Sequence, residues 1–238
     1  MAHARLQAAF FDLYETLITE FDPDWRPEQT PAERLGVQGE VFDRVWRSRK
    51  AARMTQAVDY RDVVREVCQA AGIVIDARIE AVIEDLYSER LAAKAKPLLV
   101  VERPVLDSLR ELGVMGLRLG LIRNCSVEEV AAWDQSPLAS LFDDVVFSYR
   151  VGYAKPDRAI YLMACHKLQV LPKRSAFVGD GGSDELSGAA RVGMRPYCAR
   201  WFVDRWPTWR RRRSDETNPG VRNLSSLSEL TTLQPRMT

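Results

Sequence analysis

The chain has 238 residues, 46% of them apolar, and 34 Lys and Arg nearly cancel 33 Asp and Glu. That size suits one α/β domain with an insertion, or two small domains. The balanced charge argues against a bulk electrostatic draw to nucleic acid or membrane, and no apolar run reaches membrane-spanning length. The four cysteines (Cys68, Cys125, Cys165, Cys198) are scattered, without a Cys-x-x-Cys pair. They fit reduced thiols in a cytoplasmic protein better than a disulfide framework or a zinc site. With His3 and His166 the only histidines, His-centred metal or triad chemistry is nearly excluded, and both are taken as bystanders. Residues 1–7 lack a secretory apolar region.

In chain order, Ala8-Ala9-Phe10-Phe11 is a short apolar run closed by Asp12. It reads as a buried strand whose end carries a carboxylate to the rim of an open sheet, where such sheets bind ligands. The same residues also fit a helix start, with Asp12 as N-cap and Glu15 as its partner. Residues 18–31 hold three prolines and read as an irregular excursion. From 32 to 96 the pattern turns helical: Val41, Phe42, Val45 and Trp46, then Val63, Val64 and Val67, then Ile79, Val82, Ile83 and Leu86 recur at helical spacing. Gly72 marks a stop and restart within it.

After a helix over 104–113, strands and helices alternate. Strands are expected at 117–122, 145–148, 176–178 and 196–199, and helices at 127–133, 158–168 and 185–192. Such alternation means a parallel sheet with crossover helices. Residues 201–213 bring three tryptophans and a run of four arginines. Basic and aromatic residues together can bind nucleic acid, although a solvated loop with its Trp side chains folded back suits the neutral chain better. A short closing strand and helix are expected over 218–233.

Four stretches carry the chemistry: Phe11-Asp12-Leu13-Tyr14-Glu15-Thr16, Leu121-Ile122-Arg123-Asn124, Ala154-Lys155-Pro156 and Val178-Gly179-Asp180-Gly181-Gly182-Ser183-Asp184. In this order and at these intervals they resemble the four motifs of the haloacid dehalogenase superfamily of aspartyl-nucleophile hydrolases. The resemblance implies a Rossmann-like three-layer α/β core (1–20 and 97–238) with an inserted all-helical cap (21–96) that closes over the site. It makes Asp12 the nucleophile, Thr16 a turn anchor and hydrogen-bond donor, Asn124 a substrate-orienting group, and Lys155 the cation that keeps Asp12 ionised. By itself Lys155 also reads as a surface residue before a helix-opening proline, and Asp184 as a helix N-cap.

If Asp12, Asp180 and Asp184 share one pocket with Lys155, about two negative charges are left over, and like charges at short range resist co-ionisation. A hard cation such as Mg²⁺ resolves this. The resemblance assigns it to Asp12, the Tyr14 backbone carbonyl, Asp180 and Asp184. Two residues depart from the phosphatase pattern. Tyr14 stands where those phosphatases carry a second Asp that protonates the leaving group, and a phenol is a poor base near neutrality. Tyr there resembles the 2-haloacid dehalogenases, whose halide leaves without a proton, but those enzymes lack the carboxylate that Asp180 represents. Arg123 stands where Ser or Thr is usual. It can donate bidentately, adds a positive charge to the count, and can pair with Asp12. Trp46-Arg47 resembles the dehalogenases' substrate-carboxylate arginine, although such pairs are common on helices. The expectation is a Mg²⁺-dependent phosphatase of a small phosphorylated metabolite. A metal-independent 2-haloacid dehalogenase and a catalytically impaired binding or regulatory member are the alternatives.

Overall fold

The computed structural model describes residues 5–22, 28–207 and 220–232. Six short strands form one all-parallel sheet in the order β3-β2-β1-β4-β5-β6: β1 (Ala8–Phe11), β2 (Arg118–Arg123), β3 (Asp144–Phe147), β4 (Ser175–Gly179), β5 (Arg195–Ala199) and β6 (Arg222–Leu224). Every residue of β1 and β4 is buried, as continuous apolar runs covered on both faces should be. The register runs Ala8↔Arg118 to Phe11↔Leu121 on one side of β1 and Ala8↔Ser175 to Phe11↔Val178 on the other. Strand order reverses at β1, the switch point where open α/β sheets leave a crevice beyond their carboxyl ends.

Helices cover both faces. On one, α6 (Arg103–Val114) supplies Val105, Leu109 and Leu112 to a cluster with Phe11, Leu121 and Val178. On the other, α8 (Arg158–Lys167) and α9 (Glu185–Arg191) supply Tyr161, Ala164, Leu186 and Ala189 to a cluster with Phe10 and Phe177. The chain therefore folds as a three-layer α/β protein.

Between β1 and β2 lie α1 (Pro31–Leu35), α2 (Gly39–Ser48), α3 (Lys50–Thr55), α4 (Tyr60–Ala70) and α5 (Ala77–Leu99). Local chemistry sets their starts. Thr30 and Glu33 form a capping box with Pro31 in the first turn, and Asp59 and Asp76 accept from the first-turn amides of α4 and α5. These helices bury an apolar cluster of their own, with Leu35, Tyr60, Val64, Val67, Ile83 and Leu86. α5 runs past position 96, with Pro97 in its last turn, and its end joins the sheet: Leu98 belongs to the main core, and its carbonyl accepts from Ser136 Oγ at 2.6 Å.

The helix expected over 127–133 is instead the first of three 3₁₀ turns, Glu128–Val130, Trp133–Gln135 and Ala139–Leu141. Trp133 is pulled into an aromatic group with Phe142 and Phe147, at 5.9 and 5.8 Å between ring centroids. Pro137, which lacks a backbone donor, lies between the second and third of these turns. α7 (Ser148–Val151) follows β3 directly, and α10 (Glu229–Thr232) follows β6. The described part of the tail folds inward: Trp201 Nε1 donates to the Thr16 carbonyl at 2.9 Å, and Trp206 lies 6.1 Å from the Phe21 ring. His3 and the four arginines at 210–213 lie outside the described residues. Among the described residues no helix is long and apolar enough to cross a membrane.

The core leaves no room at Gly120 on β2, where an added Cβ would stand 2.4 Å from Cδ1 of the buried Phe10. Overpacking of this kind costs about 1–3 kcal/mol. Gly120→Ala should lower the urea midpoint accordingly, and an unchanged midpoint would show the core to be looser than described.

Candidate active site

The polar residues that end the central strands meet in the crevice beside β1. Asp12 follows β1, its amide extending the ladder to the Val178 carbonyl at 2.9 Å. Arg123 ends β2, Asp180 follows β4, Glu185 opens α9, and Lys155 comes from the loop between α7 and α8. Lys155 Nζ donates to both Asp12 Oδ1 and Glu185 Oε2, and both Lys155 and Glu185 side chains are 2% exposed. Arg123 Nη1 reaches the other Asp12 oxygen, Oδ2, at 3.3 Å. One carboxylate oxygen each from Asp12, Asp180 and Glu185 lie within 4.8 Å of one another.

The protonation equilibria follow from this crowding. Burial works against the charge on Lys155, but Asp12 and Glu185 outweigh it and hold the ammonium above its ordinary pKa. Burial pushes the Glu185 carboxyl well above the usual range despite Lys155. Burial, then the charge of Asp12, push Asp180 up as well, although Gly182 N–H donates to its Oδ1 at 3.0 Å. Three carboxylates against Lys155 and Arg123 leave about one negative charge, and raised carboxyl pKa values are its signature. A cluster of hard oxygen donors with surplus negative charge fits a small divalent cation.

The supporting residues explain why the cluster forms. At Gly179 an added Cβ would stand 2.0 Å from Glu185 Oε1, so only glycine admits that carboxylate; the Gly181 amide donates to the same oxygen at 3.2 Å. Asn124 lines the same cavity as Asp12, and its side-chain amide is engaged with the main chain of Lys155. Its Nδ2 donates to the Lys155 carbonyl at 2.8 Å and its Oδ1 accepts the Lys155 amide at 2.7 Å, so it positions the lysine. Tyr14 is buried, and burial followed by the charge of Glu20 push its phenol above its ordinary pKa. Its hydroxyl donates to the Glu129 carbonyl at 3.1 Å, and its ring carries the Arg123 guanidinium at 4.4 Å. Thr16 is fully buried, but its Oγ1 makes no hydrogen bond among the described residues; its carbonyl is what anchors, through Trp201.

Two expected members stand apart. Asp184 has a left-handed φ of 52°, a 57%-exposed side chain and Arg191 at 3.3 Å, and makes no side-chain cap to α9. Ser183, at φ 55°, precedes it in the same conformation. This double left-handed turn sends Asp184 outward and brings Glu185 inward, so Glu185 completes the acidic trio. Arg47 is 77% exposed and pairs with Asp43 at 2.6 Å. It lines the rim of a cavity of about 1000 Å³ that the trio shares with Trp46, Arg53 and Lys94 from the helical insertion.

These placements separate by stability. Asn124→Ala removes two hydrogen bonds from buried main chain and should cost about 1–3 kcal/mol in urea unfolding. Arg47→Ala should stay within about 0.5 kcal/mol. Equal losses would contradict the clamp.

A family profile described as haloacid dehalogenase-like hydrolase matches residues 6–193. A Xenopus laevis haloacid dehalogenase-like hydrolase domain-containing protein 3 is 30% identical over 182 residues, covering 76% of this chain and 68% of its own. A glyceraldehyde 3-phosphate phosphatase of Methanothermobacter thermautotrophicus is 25% identical, covering 79% and 83%. An (S)-2-haloacid dehalogenase of Pseudomonas sp. strain YL is 28% identical, covering 79% of each. The fold superposes on a 2-haloacid dehalogenase from Pseudomonas syringae with a TM-score of 0.65 at 22% identity, over 96% and 97% of the two chains. With its matched motifs placed around one buried carboxylate crevice, the chain belongs to the haloacid dehalogenase-like hydrolases.

Proposed function

We propose that the chain is a Mg²⁺-dependent phosphatase of small phosphate monoesters, with Asp12 as nucleophile. The observation that carries this reading is the third carboxylate of the trio, Asp180, which meets Asp12 and Glu185 within 4.8 Å. A metal-free displacement at carbon has no use for that acid, and it raises the charge problem that a cation relieves. In this reading Asp12 and Asp180 hold Mg²⁺, with the Tyr14 backbone carbonyl and Glu185 beside them. The bound ion supplies positive charge against the phosphoryl oxygens.

The reaction then follows from the chain's own groups. An Asp12 oxygen forms a bond to phosphorus, and the ester P–O bond breaks with its electron pair going to the leaving oxygen. Lys155 and Arg123 pair with Asp12 and face the charge that develops on the phosphoryl group. Water then cleaves the aspartyl phosphate and releases inorganic phosphate. Tyr14 cannot serve as the acid that protonates the leaving group. Its proton is committed to the Glu129 carbonyl, and burial holds it there. The substrates favoured are therefore esters whose leaving group departs as an anion of low pKa. The helical insertion acts as the cap over the cavity, and four buried free thiols suit a cytoplasmic location.

A second reading, a 2-haloacid dehalogenase, draws on one specific feature. The Arg123 guanidinium lies on the Tyr14 ring beside Asp12, where it could grip a substrate carboxylate while a halide leaves without a proton.

One assay decides between them: phosphate release from 4-nitrophenyl phosphate with Mg²⁺ or EDTA, with Asp12→Asn protein as the blank. Mg²⁺-dependent turnover that the blank lacks is expected. EDTA-resistant halide release from 2-chloropropionate without phosphatase activity would select the dehalogenase. Across substituted aryl phosphates the rate should fall steeply as leaving-group pKa rises. A flat dependence with chemistry rate-limiting would mean that another group acts as the acid.

A further inference from the structure

One cation in the cavity wall has no ion-paired carboxylate among the described residues. Arg53, on α3, is 5% exposed. Its guanidinium carbon lies over the Trp46 ring, 3.5 Å from the centroid, and its one hydrogen bond among the described residues is long, Nη2 to the Trp46 carbonyl at 3.4 Å. Its Nε is buried without a partner, and no carboxylate pairs with it among the described residues. The neighbouring acids face other cations, although Glu129 Oε2 accepts no hydrogen bond among the described residues. Arg90 holds Glu128 at 2.8 Å and lies 3.6 Å from Glu129, and Arg123 and Lys94 approach Glu129 at 3.9 Å. Lys94 also pairs with Glu20, and Lys155 with Asp12 and Glu185.

An arginine does not shed its charge in a protein, so burial without a partner is a standing cost. Burial, then repulsion from Arg90, push its pKa down against the smaller pull of Glu128 and Glu129. Trp46 offsets part of this through cation–π contact, but no group among the described residues meets the unsatisfied guanidinium nitrogen. Such a site is built for an anion that arrives with the ligand. Arg53 and Asp12 line the same cavity, one contributed by the helical insertion and one by the residue that follows β1.

We propose that Arg53 receives a second oxyanion on the substrate, a carboxylate or a further phosphate, remote from the phosphoryl group that Asp12 attacks. The proposal rests on the phosphatase reading for the identity of the reacting group. The planar guanidinium fork suits either oxyanion bidentately, and the substrate class becomes phosphate monoesters with a second acidic group. Arg53 was not among the residues that the motif order selects. It lies outside all four motifs, on a helix whose pattern marks only an amphipathic surface.

The test is equilibrium binding, which needs no turnover. Ethylphosphonate and 2-carboxyethylphosphonate differ by one carboxylate, and both resist hydrolysis. By titration calorimetry with Mg²⁺ present, the unmodified protein should bind the carboxylate-bearing compound about tenfold tighter or better. Arg53→Gln should bring the ratio near one, and Arg53→Lys should keep part of it. Arg53→Gln should also unfold no earlier than the parent, since it removes an unpaired buried charge; if it fails to fold, the Arg53→Lys ratio carries the test. No preference in the parent, or a preference that survives substitution of Arg53, overturns the proposal. Arg53-dependent preference in a protein that releases no phosphate from aryl esters would sink the phosphatase reading and leave the anion site standing.

Discussion

The ammonium of Lys155, buried between Asp12 and Glu185, is the contact on which the rest of the site depends. Two carboxylates brought to one point out of water repel each other, and the cation between them offsets that repulsion. Much of the surrounding structure keeps that ammonium in place. Asn124 grips the lysine's main chain from both sides, Gly179 leaves space for the Glu185 carboxylate, and the Tyr161 hydroxyl donates to the Glu185 carbonyl at 2.8 Å. These residues come from β2, β4, α8 and α9, so the cluster ties the two halves of the sheet together at the switch point.

Arg123 changes the balance of this centre. It engages the Asp12 oxygen that Lys155 leaves free, and it is itself held by the Tyr14 ring and by Glu129. Tyr14 is therefore best understood with Arg123, as the surface on which the guanidinium rests, rather than as a substitute acid. A carboxylate nucleophile gripped by two cations has its lone pairs engaged and is correspondingly less nucleophilic. An incoming phosphoryl group would have to draw Arg123 from Asp12 onto its own oxygens, a transfer of one hydrogen bond between two anions on the same guanidinium.

The fold was legible in the sequence because its strands are short apolar runs that end in polar residues, and that pattern survives without tertiary information. Asp12, Arg123 and Asp180 were visible for the same reason, being the residues just at or beyond the strand ends. What escaped was set by geometry that no spacing encodes. Glu185 rather than Asp184 joins the trio because Ser183 and Asp184 both adopt a left-handed conformation, which non-glycine residues rarely show. Asn124 lies where the motif puts it, yet its amide serves the lysine's backbone, a role that depends on the loop carrying Lys155. The 3₁₀ turns replace an expected helix because Trp133 is worth more in the aromatic core than in a regular turn. Arg53 was silent in the sequence, since only burial distinguishes it from a solvated arginine.

Whether the trio holds a divalent cation is the claim from which the phosphatase chemistry follows. Crystals grown with Mn²⁺ in place of Mg²⁺, measured at the manganese absorption edge, would test it most directly. A single anomalous peak bound by Asp12 and Asp180 with Glu185 beside it, and none at Asp184, is expected. A crevice without a peak at saturating Mn²⁺, with Lys155 and Arg123 still gripping Asp12, would contradict it.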